Sequence, residues 1–171
     1  VDMVVVFCRL SAVVFGRSIM YLGLNTFIVL YFMNHFHESQ NFSNLLLSVY
    51  YGIGALFTLI GGKLGDKHGY RTFVRFGFLL AFPAALILAW TDSSILGILC
   101  LIVLGAALNL TYSPMVVLGQ QYLPNRVGLA SGITLGLAVS VGGITAPLLG
   151  KVGDMYGLET TFCVIALITL I

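Results

Sequence analysis

Gly62-Lys63-Leu64-Gly65-Asp66-Lys67-His68-Gly69-Tyr70-Arg71 separates two long apolar runs, about Ser43 to Gly62 before it and about Thr72 to Trp90 after it. Each run has the length a helix needs to cross hydrocarbon, roughly twenty residues. The glycines permit a tight turn between helices. Asp66 can accept hydrogen bonds from a neighbouring helix N-terminus and pair with Arg71. The stretch therefore reads as a short charged loop between two membrane-spanning helices.

Four further apolar segments extend the pattern: about 4–32, 95–118, 128–150 and 160–171. The breaks between them are short and polar. Hydrophobic residues make up 59% of the 171 positions and charged residues 8%. An ordinary soluble domain carries about 25% charge, and lipid is the solvent that needs no polar coat. Porin-like strands are excluded, because they need runs of about ten residues with strict apolar–polar alternation. The reading is an all-α membrane protein of six segments. The last segment, Thr161 to Ile171, rises only about 16 Å as a helix, which gives the expectation of a fragment cut at its end and at its start. The N-terminus opens without the basic region of a signal peptide.

The charges orient the segments. Lys63, Lys67, Arg71 and Arg126 lie in two breaks, with Arg75 close by, whereas Glu38, Asp92, Asp154 and Glu159 lie in the others, with Lys151 the one base. Basic loops stay cytoplasmic, so the breaks 63–71 and 120–126 are expected inside and Trp90 at the outer edge. A net charge of +2 says little, and nucleic acid is not an expected partner. Cys8, Cys100 and Cys163 stand far apart in apolar runs, neither a metal spacing nor a disulfide framework, so no metal or cofactor is expected.

Gly128, Gly132 and Gly136 recur at four-residue steps, followed by Ser140. Small residues at that spacing let two helices approach closely, so this face is expected to pack on another helix. Pro83, Pro114 and Pro147 fall within segments three, four and five and are expected to bend them. Bent helices around small residues suit a protein that rocks between two states.

The opening stretch resembles the signature loop of the major facilitator superfamily, G-x-L-a-D-r-x-G-r-k. Gly62, Leu64, Asp66, Gly69 and Arg71 match, Lys67 keeps the basic character, and Tyr70 departs from the usual basic residue. The resemblance implies that these residues form a loop that latches helices in one conformation. A second copy, Gly150-Lys151-Val152-Gly153-Asp154-Met155-Tyr156-Gly157, begins 88 residues later and on the opposite side. Two inverted three-helix repeats would give that arrangement, one six-helix half of the superfamily fold. Closer likeness is to the fosmidomycin-resistance proteins. Arg17-Ser18, Gly23-Leu24, Thr26-Phe27 and Leu30-Tyr31 look like their seventh helix. Tyr122-Leu123-Pro124-Asn125-Arg126-Val127-Gly128 and the glycines after it resemble their tenth-to-eleventh helix junction. The resemblance implies the C-terminal six-helix half of a drug exporter in the cell (inner) membrane, driven by proton antiport. A missing N-terminal half, a small-molecule substrate and protons would be its partners. Uptake or facilitated transport of a small organic solute within the same superfamily stays open.

Arg17 is the leading candidate site residue. An arginine inside a membrane helix is costly and faces either a cavity or a partner; the other reading is a side chain that snorkels to the headgroups, the reading preferred for Arg9. Asn25, Asn109 and Tyr112 are candidates to line the substrate path, with Gln120, Tyr50 and Tyr51 behind them. No Asp or Glu falls within a segment, so a coupling carboxylate is expected elsewhere in the full protein. A serine-hydrolase reading of Ser131 lacks a histidine in reach, since His35, His37 and His68 are placed in loops.

Overall fold

A computed structural model describes residues 3–168 as a bundle of helices. They are α1 Val4–His35, α2 Gln40–His68, α3 Tyr70–Trp90, α4 Ser94–Leu110, α5 Tyr112–Tyr122, α6 Val127–Ser131, α7 Ala138–Tyr156 and α8 Leu158–Ile168. A 3₁₀ turn, Pro124–Arg126, leads into α6, and a π-helical stretch, Gly132–Leu137, joins α6 to α7. Taken as continuous rods, α1, α2, α3, 94–122 and 124–156 are long and apolar enough to cross a membrane. The end of the sixth expected segment, 169–171, lies outside the described residues.

The helices run further than hydropathy suggests. The opening stretch is helix up to His68, and Gly69 alone separates α2 from α3. Gly69 has φ 92°, a backbone region where a Cβ is strained, and its N–H donates to the Gly65 carbonyl at 2.9 Å. The second copy of the motif repeats this end: Gly157 has φ 88°, and its N–H donates to the Gly153 carbonyl at 2.9 Å. The repeated glycine is thus a helix stop, and the charges before it sit on the last helical turns.

Two ends can be told apart. The N–H of Met3 donates to the Tyr122 carbonyl at 2.8 Å, and Arg71 also reaches Tyr122, so the start of α1 and the breaks 63–71 and 120–126 share one end. At the other end the Ser94 hydroxyl donates to Glu38 at 2.7 Å, and His35 meets Thr91 and Glu159. One core fills the half near His35, with Ile28, Tyr31, Phe32, Leu88, Leu104 and Phe162 at its centre. A second core, around Phe7, Val14, Val74, Met115 and Leu118, fills the half near the motif loop.

Between the cores the fourth segment breaks. Pro114 has no N–H to give the Leu110 carbonyl, and the chain turns at Thr111 before restarting as α5. Pro83 and Pro147 instead lie inside continuous helices. Backbone from two neighbours closes on the break. A Cβ on Gly61 of α2 would strike the Leu110 carbonyl group, and one on Gly77 of α3 would strike the Thr111 side chain and the Ala107 carbonyl oxygen.

Among the described residues, the expected packing of Gly128, Gly132 and Gly136 is not made. Nothing lies within 4 Å of where a Cβ would stand on any of them. Close approach occurs one helix further on, where Gly142 meets Ser18 and Leu22 of α1, and the Ser18 hydroxyl donates to the Ala138 carbonyl. Small-residue spacing marks a face fit for packing, without naming the partner.

Candidate functional site

Arg17 lies in the belt between the two cores. It is 7% exposed, so it does not snorkel. Its Nε donates to the Leu108 carbonyl at 2.8 Å, the same oxygen that accepts from the Thr111 hydroxyl at 2.9 Å. The helix break places that carbonyl in reach. The guanidinium also lies over two rings, 5.4 Å from the Tyr21 centroid and 4.8 Å from that of Tyr112. Placing an arginine at the centre of a membrane helix costs about 3 kcal/mol on insertion scales. A hydrogen bond to a charged group returns about 1.5–3 kcal/mol, and a desolvated cation–π contact about 2 kcal/mol. These contacts offset the burial and fix the group's direction. Among the described residues, the terminal guanidinium nitrogens have no hydrogen-bond acceptor.

Arg17 borders a cavity of about 440 Å³. Arg17, Ser18, Tyr21, Asn109 and Tyr112 supply its polar wall, and Thr134, Leu135, Ala138 and Val139 its opposite side. That opposite side begins in the π-helical stretch, where the local change of pitch re-aims Thr134 and Leu135. Three of the four residues expected to bind substrate, Arg17, Asn109 and Tyr112, therefore meet in one place. Asn109 is held back: its Nδ2 donates to Gly105 of its own helix at 2.8 Å, and it packs against Gly54. Asn25 does not border this cavity; its Oδ1 is buried without a partner, as is the Tyr50 hydroxyl. Gln120 donates to the Ser131 hydroxyl at 3.1 Å, which ties α5 to α6.

Tyr21 was not singled out from sequence, though its place four residues after Arg17 puts both on one helix face. Tyr50, whose ring centroid is 6.1 Å from that of Tyr21, extends the aromatic wall.

The motif loop forms a second constellation with partners other than those expected. Asp66 does not pair with Arg71. The Tyr70 hydroxyl, four residues on, donates to the Asp66 carboxylate. Arg71 instead donates through Nε to the Tyr122 hydroxyl at 2.6 Å and lies 5.2 Å from that ring's centroid. The departure at Tyr70 captures the aspartate and leaves the arginine for α5. Gly62 and Gly65 let α2 approach Ser113 and Pro114 at the start of α5. Leu64 is half-buried, whereas Lys67 and Gly69 are exposed. The loop thus touches the lower half of the broken helix whose upper half holds Arg17.

The rods long and apolar enough to cross a membrane, with a buried cation beside a cavity, define a helical membrane-protein bundle. The chain belongs to the major facilitator superfamily, whose family model matches residues 10–171. It is 33% identical over 145 residues to an uncharacterized MFS-type transporter, YfnC, of Bacillus subtilis strain 168, covering 84% of this chain and 35% of that protein. It is 31% identical over 163 residues to the fosmidomycin resistance protein of Escherichia coli K12, covering 95% of this chain and 40% of that one. These relatives are transporters, not enzymes. The chain spans well under half the length of each of them. Among solved structures, a mutant of the peptide transporter POT in complex with sulfate superposes with a TM-score of 0.87 at 18% identity, covering 96% of this chain and 35% of that one. The tetrameric PepTSo2 matches with a TM-score of 0.87 at 19% identity, covering 99% and 39%. At these identities the structures show a shared fold.

Proposed function

We propose that this chain is the C-terminal six-helix half of a secondary transporter that exports a small anionic, drug-like molecule by proton antiport with alternating access. The observation that carries the reading is Arg17, which lines the cavity with its Nε anchored and, among the described residues, no acceptor for its terminal nitrogens. A guanidinium so held presents a fork that matches a phosphonate or carboxylate. Tyr21 and Tyr112 beside it offer hydroxyls and ring faces to the rest of the ligand. The fosmidomycin resistance protein among the relatives supports an anionic cargo.

The cavity needs a second wall. Most of the surface of α2 and of the rod 124–156 is unburied in this chain. We assign those faces, with the open stripe of Gly128, Gly132 and Gly136, to contact with the N-terminal six-helix half. The loop of Gly62, Leu64, Asp66, Lys67, Gly69 and Arg71 lies on the cytoplasmic side of the cell membrane in this reading. Its contacts with α5 serve the switch between states and not substrate binding.

The reading is tested with the full-length protein in inside-out membrane vesicles. An acidic lumen is expected to drive accumulation of a radiolabelled phosphonate, and a protonophore to abolish it. Accumulation that ignores the protonophore contradicts proton antiport.

A further inference from the structure

His35 closes α1, yet its side chain is only 17% exposed. The ring stacks on Tyr31, with centroids 4.9 Å apart and 9° between planes, and meets the edge of Phe36 at 4.8 Å. Its Nε2 stands 2.9 Å from the Thr91 carbonyl oxygen, and its Nδ1 stands 3.1 Å from a Glu159 carboxylate oxygen. Three elements meet on this one ring: the end of α1, the turn between α3 and α4, and the first turn of α8.

The two contacts count protons. A carbonyl oxygen only accepts, and so does an ionised carboxylate. A neutral imidazole has one N–H, so it satisfies one partner and turns a lone pair toward the other. Both contacts are made together only with one more proton, either as a second ring N–H or on the Glu159 carboxyl. Groups coupled this closely hold that proton as a pair.

We infer that His35 and Glu159 form a proton-binding site at the end of the bundle opposite the motif loop, and that the bound proton fastens α1 to α8 and to the α3–α4 turn. The proton arrives from water at that end, forms the second N–H (or the carboxyl O–H) and returns to water on release. Nothing is oxidised or reduced. Among the described residues, the titratable groups at the site are Asp92, 3.9 Å from Nε2, and Tyr31, with Cys100 and Cys163 beside that tyrosine, while Glu38 at the same end is held by the Ser94 hydroxyl. Trp90 donates to the Cys163 sulfur at 3.0 Å, a tie between α3 and α8 that needs no added proton.

The test uses the full-length protein in nanodiscs, without substrate, with native cysteines replaced by serine and nitroxides at positions 34 and 160. Dipolar broadening between the labels is read from about pH 5 to 8, where imidazole changes charge. In the parent the broadening is expected to be strong at the acidic end and lost at the alkaline end. Glu159→Gln is similar in size and can donate its amide N–H to a bare Nδ1, so its broadening should persist across the range. His35→Gln should lose the pH response altogether. A parent signal that does not change with pH overturns the inference, and so does an unaltered pH response in Glu159→Gln.

Discussion

Replacement of Arg17 by glutamine in the full-length protein is expected to abolish export of anionic phosphonates while a neutral substrate is less affected. Two charge-assisted hydrogen bonds from the fork to the anion are lost, each worth about 1.5–3 kcal/mol. A net loss near 2.7 kcal/mol is about 100-fold in affinity. Arg17→Lys should keep part of the activity, because a point charge survives and the fork does not. The structure sharpens the contrast. The native residue anchors itself to the Leu108 carbonyl through Nε and still has two terminal nitrogens for the ligand. A lysine ammonium placed on that carbonyl has no second nitrogen to offer. Growth of a drug-sensitive host, with expression checked by blot, reads the result across anionic and neutral compounds. A uniform loss across the panel would point instead to a structural role for the Leu108 contact.

The second large effect concerns Gly61, which does not line the Arg17 cavity and stands immediately before the motif. A methyl group there would stand 3.0 Å from the Leu110 carbonyl carbon and 3.1 Å from its Cα, with the oxygen closer still. These are backbone atoms at the break before α5 and have no rotamer to change. Gly61→Ala must move α2 away from the broken helix, a strain of about 1–3 kcal/mol, and Gly61→Val more. Since the Leu108 carbonyl lies in the same distorted turn, Arg17 should lose its fixed direction too. The expected result is a melting temperature in detergent lowered by several degrees, with weakened transport. Gly52 is the control, because nothing lies within 4 Å of a Cβ there; Gly52→Ala should be neutral or slightly stabilising. Equal melting of the Gly61→Ala and Gly52→Ala variants would show that the close approach carries no strain.

These two residues show what could be read before the fold was seen. Arg17 was legible because a charge among apolar residues contradicts its surroundings, and the contradiction needs no coordinates to notice. The membrane-spanning rods were legible for the same reason, since transfer from water to hydrocarbon depends on composition and length. Partner choice was not legible. Arg71 finds Tyr122 across the bundle, 51 residues away, and no local spacing signals it. The Tyr70–Asp66 contact was within reach, being a helical i, i+4 pair, but the motif looked like a loop and loops have no such periodicity. Gly128, Gly132 and Gly136 displayed a packing rhythm that meets no neighbour among the described residues, whereas Gly61, which has the same four-residue step to Gly65 and Gly69, and Gly77 are the ones pressed against the broken helix. Pro114 marked the break in the fourth segment. Its consequence, a carbonyl placed for Arg17, required α1 and α4 to be seen together. His35 looked like a loop residue because Asn34 and His37 flank it, yet the helix runs through to it.

In the proposed function the Arg17 cavity holds the anionic group of the substrate. Equilibrium binding of a labelled phosphonate to the purified full-length protein, wild type against Arg17→Gln, tests it without the complications of turnover. Binding is expected to be about 100-fold weaker in the variant, with the wild-type affinity falling as competing sulfate is added. Equal affinity in the two proteins would contradict it and return Arg17 to a purely structural part in the helix break.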